Sequence, residues 1–170
     1  MPFKNGANHF RGVPNMTGTI DGRLAELGIE LPPASAPAGN YVPTVQTGNL
    51  LFISGQVPIV DSAPSFIGRL GAELDVETGV AAARTCALAL IARAKVALNG
   101  ELDRVQQVVK LTGFVAATPE FTEHPKVVNG ASDLFADVFG DAGRHARAAV
   151  GMASLPLGVA VEVEAILEIA

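Results

Sequence analysis

The sequence predicts an α+β fold of two layers, with two helices packed on one face of a mixed β-sheet. Two segments, 77–98 and 126–140, carry apolar residues at helical spacing. Segments rich in β-branched residues lie before, between and after them, at 41–55, 105–116 and 146–170. Two helices cover only one face of such a sheet, so we expect an oligomer to bury the other face.

The first forty residues are predicted to lie outside this sheet. Residues 1–18 lack the apolar run of a secretory signal and are interpreted as a flexible leader. Residues 19–31 predict a short helix that Gly28 can end, and 32–40 form a connector rich in Pro and Ala. We expect residues 19–170 to form a single domain.

The next segment predicts a β-hairpin. Strands at 41–46 and 50–55 flank the turn 47–49, whose Gly and Asn tolerate a positive φ. A turn-rich stretch follows, with a short strand expected at 65–70.

Both predicted helices have recognisable ends or faces. Asp75 is a candidate N-cap for the helix 77–98, and Asn99-Gly100 ends it. The predicted core face of this helix comprises Val80, Ala83, Ala87, Leu90, Ile91, Ala94 and Leu98. That of the helix 126–140 comprises Val127, Ala131, Leu134, Phe135 and Val138.

Three further strands are predicted, at 105–116, 146–155 and 159–170. The last alternates strictly, which places Glu162 and Glu164 on one face and apolar side chains on the other. The apolar set comprises Val159, Val161, Val163 and Ala165.

Composition excludes several classes of function. The 170 residues carry a net charge of −5, which disfavours nucleic acid as a partner because phosphate binding needs clustered Lys and Arg. No apolar run is long enough to cross a bilayer. The single cysteine, Cys86, permits no disulfide within the chain and favours a cytoplasmic location. His9, His124 and His145 lack ligand spacing, and nucleotide-binding motifs are missing, so we expect neither metal nor cofactor.

The candidates that remain are few, and each has a structural alternative. Arg147 stands in a segment of small residues, where it either binds an anion or forms an ion pair at a subunit interface. Glu162 is either functional or a solvated strand residue, and Tyr41 either lines a pocket or caps the hairpin. His145 is interpreted as a loop residue that could border the site. Ser54 is a poor candidate nucleophile because no histidine base is evident.

Three motifs together resemble one known family. "GNLLFISGQVP" (48–58), "RAAVGMASLP" (147–156) and "VAVEVEA" (159–165) are similar to the signature regions of the RidA family. This family is also called YjgF or endoribonuclease L-PSP-like, and it has a chorismate-mutase-like fold. The resemblance covers about three quarters of the chain, from Tyr41 onward. Further stretches resemble a subgroup that has an N-terminal extension.

The resemblance implies a homotrimer with clefts between subunits, each of which hydrolyses an enamine or 2-imino acid to a 2-keto acid and ammonia. Arg147 would hold the substrate carboxylate and Glu162 the attacking water. The backbone amides of Gly55 and Ala149 would assist, Tyr41 would close the pocket and Asn129 would support it. A fixed cation and one acid/base group are what this chemistry requires.

The sequence departs from the family pattern near the site. Ala149 stands where the family often has cysteine, and the loop 140–146 has one extra residue, so the substrate is left open. Two other functions remain as alternatives. One is a trimer that binds a small carboxylate without catalysis, as a metabolite sensor or chaperone. The other is an endoribonuclease, which the acidic charge disfavours.

Overall fold

The computed structural model describes residues 19–34 and 39–170, which form one five-stranded sheet with helices on one side. The helices are α1 (Thr19–Glu26), α2 (Val76–Ala97) and α3 (His124–Phe139). The strands of the main sheet are β1 (Thr44–Thr47), β2 (Leu50–Gln56), β5 (Val105–Ala116), β6 (Ala146–Met152) and β7 (Val161–Ile169). A small separate hairpin consists of β3 (Ile59–Val60) and β4 (Ala63–Pro64). The leader 1–18 lies outside the described residues, as does the connector segment 35–38.

The sheet has the order β1-β2-β7-β5-β6, so β1 and β6 are its two edges. β6 runs parallel to β5, and α3 makes the crossover between them, whereas the other neighbours are antiparallel. This is the mixed sheet that the sequence predicts. Parallel neighbours need such a crossover, because a tight turn can join only antiparallel strands.

The core lies between the sheet and the two long helices. Along β7, Val161, Val163 and Ala165 are buried beneath the helices, whereas Glu164 on the alternate face is exposed. α2 and α3 cover the buried face. α1 packs against α3 and against the 3-10 turn Leu102–Arg104, where Asp103 accepts hydrogen bonds from the Thr19 hydroxyl and the Ile20 amide. Large apolar side chains remain exposed on the opposite face of the sheet: Phe52, Val109, Val150 and Met152. The predicted two-layer α+β fold is therefore confirmed.

The ends of α2 agree with the prediction. The Asp75 carboxylate accepts a hydrogen bond of 2.8 Å from the Thr78 amide, which satisfies one of the free donors of the first turn. Asn99 and Gly100 adopt positive φ values of 54° and 94° directly after the helix. A left-handed pair of this kind cannot continue an α-helix, so the chain turns toward β5.

Several predicted elements have different bounds. The strand expected at 65–70 is not formed; the β3–β4 hairpin precedes this segment, and only single bridges at Ile67 and Leu70 tie it to its neighbours. The first helix ends at Glu26, two residues before Gly28, which has the positive φ of 65° expected of a glycine that ends a helix. β6 ends at Met152, because it is paired with β5 and β5 ends at Ala116.

The two long helices approach each other closely at Gly130 of α3. A Cβ atom there would overlap the carbonyl of Val80 on α2, and backbone cannot move aside as a flexible side chain can. We expect Gly130→Ala to lower the free energy of unfolding by about 1–3 kcal/mol, measured by thermal unfolding at fixed protein concentration. Gly22→Ala in α1, where a Cβ has open space, is the matched control. Equal stability of the two variants would contradict this packing.

Candidate functional site

The guanidinium of Arg147 is held by three acceptors from one face of α3. Nη1 donates to Oδ1 of Asn129 at 2.8 Å and to Oγ of Ser132 at 3.0 Å, and Nη2 donates to the carbonyl of Pro125 at 3.3 Å. These three residues recur at intervals of four and three, so they share one side of the helix. The side chain of Arg147 is thus fixed before any ligand arrives.

None of these three acceptors carries a charge. Within 19–34 and 39–170, Arg147 forms no ion pair, and its Nε–H donates to no described residue. At least one N–H of Nη2 is also left over, since that nitrogen carries two. The half-buried cation therefore keeps donors for a planar anion, and two parallel donors match a carboxylate. The described residues supply Arg147 with no anion, so the ion pair at a subunit interface stays its structural alternative.

Ser132 and His145 extend this cluster. Oγ of Ser132 lies 3.0 Å from Nε2 of His145, and Nδ1 of His145 lies 2.6 Å from the carbonyl of Gly143. A carbonyl only accepts, so Nδ1 carries the proton and Nε2 accepts from the serine hydroxyl. The main effect on His145 is burial, which lowers its pKa, and the positive charge of Arg147 lowers this pKa further.

A cavity of about 300 Å³ opens beside these side chains. Its lining includes Ser132, His145 and Arg147, together with Asp133, Ala136, Gly143 and Arg144. This volume is at the small end of the range for ligand sites. A larger groove of about 870 Å³ runs beside α1, where the cation Lys95 is paired with Asp21 at 2.9 Å and the remaining charged residue, Glu30, is an anion. The unpaired donors of Arg147 therefore favour the smaller cavity as the candidate ligand site.

Glu162 lies on the other face of the sheet, against Gly55 of β2. A Cβ on Gly55 would overlap the Glu162 carboxylate, so only glycine permits this approach. Partial burial raises the pKa of Glu162, and the neighbouring charge of Glu164 raises it further. A carboxylate with a raised pKa is a stronger base, which suits it to hold and activate water.

The dependence of protein stability on pH tests whether the surroundings of Glu162 disfavour its charged form. A carboxyl group whose pKa is raised by folding favours the fold when protonated and opposes it when pH rises through the ordinary value of 4.5. We expect Glu162→Gln to raise the melting temperature by about 1–2 °C at pH 8 and not at pH 4. The control is Glu120→Gln, at an exposed position. A lower melting temperature at pH 8 would mean that the charge is stabilised by contacts.

Tyr41 and Ala149 lie at opposite edges of the sheet. Tyr41 precedes β1 and is half exposed. Ala149 on β6 pairs with Gly113, which is covered by Val128 of α3, so Ala149 shares the helix-facing side with Arg147. Asn129 is in the body of α3.

The predicted residues fall into two groups that one chain does not bring together. Arg147, Asn129 and Ala149 lie at the β6 edge on the helix-facing side, whereas Gly55 and Glu162 lie on the open face, nearer Tyr41. Arg147 is two strands away from β7 and level with its residue 165, so it is displaced from Glu162 by about 10 Å across and about 10 Å along the sheet.

Two functional classes receive no support in the described part of the chain. No group of three or more His, Cys, Asp or Glu there is arranged to hold a metal ion. In the same ranges, helices of the length and apolarity needed to cross a membrane are lacking. Cys86 is a buried core residue, and burial raises the pKa of its thiol, so it is a poor nucleophile.

Comparison with known proteins identifies the family to which the chain belongs. The family described as "YjgF/chorismate mutase-like, putative endoribonuclease" matches residues 21–168. The chain belongs to the YjgF/RidA family. Protein TCP17 of Trypanosoma cruzi is 53% identical over 154 residues, which is 90% of this chain and 96% of TCP17. The resemblance to RidA proteins predicted from the sequence motifs is thereby confirmed.

Solved structures of YjgF/RidA proteins share the fold. The protein Atu1372 of Agrobacterium tumefaciens, whose function is unknown, is 51% identical with a TM-score of 0.83, over 89% of this chain and 92% of Atu1372. The E. coli protein TdcF, solved with bound serine, is 25% identical with a TM-score of 0.56, over 82% and 93% of the two chains. This chain is therefore more similar in sequence to Atu1372 than to TdcF.

Proposed function

We propose that this YjgF/RidA protein is an enamine/imine deaminase that converts 2-imino acids to 2-keto acids and ammonia. The observation that carries the proposal is Arg147, a preorganised cation whose three described acceptors are all neutral. A 2-imino acid presents a carboxylate directly beside its electrophilic carbon. Binding of the carboxylate by Arg147 would therefore fix the position of the carbon that water attacks.

The chemistry needs one more group, which Glu162 supplies in this proposal. Glu162 accepts a proton from water, and the oxygen adds to the C=N carbon. The C–N bond then breaks, and ammonia leaves with the protons taken from water. The sum is one imino acid and one water to one keto acid and one ammonia, with no redox cofactor or metal in the balance.

The position of the two groups supports a site shared between chains. Arg147 lies on the helix-facing side of the edge strand β6, whereas Glu162 lies on the open face of the central strand β7. A head-to-tail contact places one edge of a protomer against the other edge of its neighbour, and such contacts close into rings. We therefore propose a homotrimer with one small-carboxylate site in each of three clefts. The exposed apolar side chains of the open face, Phe52 and Val150 among them, favour burial in such an assembly.

Two further points support the substrate class and the compartment. TdcF, a relative with the same fold, was solved with serine bound, and serine carries the carboxylate that Arg147 would recognise. The only cysteine is buried in α2, which suits a protein of the reducing cytoplasm. We do not propose RNA as a substrate, because the net charge of −5 opposes phosphate binding.

The direct test generates imino acids in the assay with an amino-acid oxidase and measures the rate of ammonia and keto-acid release. The protein is expected to accelerate release beyond the rate in buffer. No acceleration with any of several small amino acids would overturn the proposal.

A second function, carboxylate binding without catalysis, is favoured by one observation: a single chain does not place Glu162 beside Arg147. The variant Glu162→Gln separates the two functions. Under the deaminase proposal, turnover is lost and a 2-keto acid still binds, as measured by calorimetry. Under the binding function, the wild type shows no turnover at all.

A further inference from the structure

The cluster behind Arg147 contains the parts of an activated serine. The Ser132 hydroxyl donates to Nε2 of His145 at 3.0 Å, and the Gly143 carbonyl fixes the opposite nitrogen as the protonated one at 2.6 Å. The ring of Phe135 packs edge-on against the imidazole, with 6.4 Å between centroids. A nucleophile, a base within reach and a group that orients the base are therefore all present in one chain.

Arg147 adds a cation to the same oxygen. Nη1 donates to Oγ of Ser132 at 3.0 Å, so the hydroxyl gives one hydrogen bond and receives one, and a lone pair is left. A positive donor at this distance favours the alkoxide form over the neutral hydroxyl. Ser132 and His145 both line the cavity of about 300 Å³, which is large enough for a small acyl group.

We propose that Ser132, with His145 as its base, is a nucleophile that accepts acyl groups from small esters. In this reaction the oxygen of Ser132 bonds to the ester carbonyl carbon, and the proton of Ser132 passes to Nε2 of His145. Arg147 donates to the oxyanion that forms. The bond from carbon to the alcohol oxygen breaks, and the imidazolium protonates the leaving alcohol.

Water completes the cycle. His145, neutral again, takes a proton from a water molecule, and the oxygen of that water adds to the acyl-serine carbon. The bond from Oγ of Ser132 to that carbon then breaks. The serine oxygen recovers its proton from His145. The balance is one ester and one water to one acid and one alcohol, with no co-reactant. This activity needs neither an imino acid nor Glu162, so it stands independently of the deaminase proposal.

The other hydroxyl groups within 19–34 and 39–170 lack this arrangement. Ser54 donates to the carbonyl of Val42, and Ser65 to that of Ala63, neither of which can serve as a base. Among the residues that the structure describes, His124 bonds to no serine and contacts the ring of Phe121. Ser132 alone in the described ranges combines a histidine and an arginine on one hydroxyl oxygen.

The first test is covalent labelling of the wild-type protein with diethyl p-nitrophenyl phosphate. Oγ of Ser132 would attack phosphorus and release p-nitrophenolate, and the resulting phosphate triester is stable. Trypsin cuts after Lys126 and Arg144, and Ser132 is the only residue of the peptide 127–144 with a hydroxyl, thiol, amine or imidazole side chain. We expect one diethylphosphoryl group on that peptide in mass spectrometry. Its absence there would overturn the proposal, whatever other residues are modified.

The second test is hydrolysis of p-nitrophenyl acetate. We expect His145→Gln and Ser132→Ala each to lower the rate of p-nitrophenolate release by about 100-fold or more, the range of a lost general base. Ser65→Ala, which removes a hydroxyl outside the cluster, is the control and should release p-nitrophenolate at the wild-type rate. Equal rates in all four proteins would assign the release to surface groups and overturn the proposal. Because labelling needs only the wild type, a variant that fails to fold leaves the first test decisive.

Discussion

Replacement of Arg147 by alanine is expected to lower deaminase activity and 2-keto-acid binding together, each by a factor of about 30 or more. The variant loses a cation that is already oriented by Asn129, Ser132 and Pro125. Removal of one partner from a half-buried charge pair costs about 2–5 kcal/mol, which corresponds to a loss of about 30- to 5,000-fold in kcat/KM. The measurements are ammonia release from imino acids made by an amino-acid oxidase, and calorimetry with 2-oxobutyrate.

Two further variants control this result. Arg147→Lys keeps the charge but loses the two parallel donors, so we expect activity between those of the wild type and the alanine variant. Arg84→Ala removes an exposed arginine of α2 and should leave activity unchanged. If Arg147→Ala retained activity within twofold of the wild type, carboxylate binding by this residue would be wrong.

Two inactive variants, Arg147→Ala and Glu162→Gln, are expected to restore activity when they assemble together. In a cleft shared by two chains, one chain supplies Arg147 and its neighbour supplies Glu162. Random assembly of equal amounts gives an intact pair in about one quarter of the clefts, since each side is intact in half of the cases. We therefore expect about a quarter of the wild-type activity after the two proteins are unfolded, mixed and refolded.

The double variant provides the complementary control. Equal amounts of wild type and of a chain with both substitutions should give about a quarter of the wild-type activity if the site is shared, and about half if each site lies within one chain. A site within one chain would also show no recovery when the two single variants are mixed. Either of these outcomes would contradict the shared cleft.

The fold could be predicted from the sequence because its periodicities are strong. The alternation of Val161, Val163 and Ala165 assigns one face of β7 to the core and places Glu162 on the other, and the structure agrees. The segment 65–70 was not predictable in the same way. Its residues are tied by single bridges to distant parts of the chain, and no local pattern encodes such contacts.

The site was only partly predictable. The face of Arg147 is not encoded in "ARAAVGM", because small residues on both sides of β6 give no alternation to read. The contacts from Ser132 to His145 and Arg147 span 13 and 15 residues and depend on how the 140–143 turn returns the chain to the sheet. The spacing of Pro125, Asn129 and Ser132 along α3 was the one available signal, and it becomes informative only when β6 is known to lie beside that helix.

If Arg147 of one copy and Glu162 of the next together complete each site, as proposed, the number of complete sites depends on how the copies assemble. An open chain of n copies joined head to tail contains n − 1 shared clefts and leaves an incomplete half at each end. A closed ring of n copies contains n. A third copy that closes the ring would thus add two clefts instead of one, so loss of a single contact in a trimer would expose two unmatched halves. Dilution that opens the ring would then lower activity per chain before any protomer unfolds.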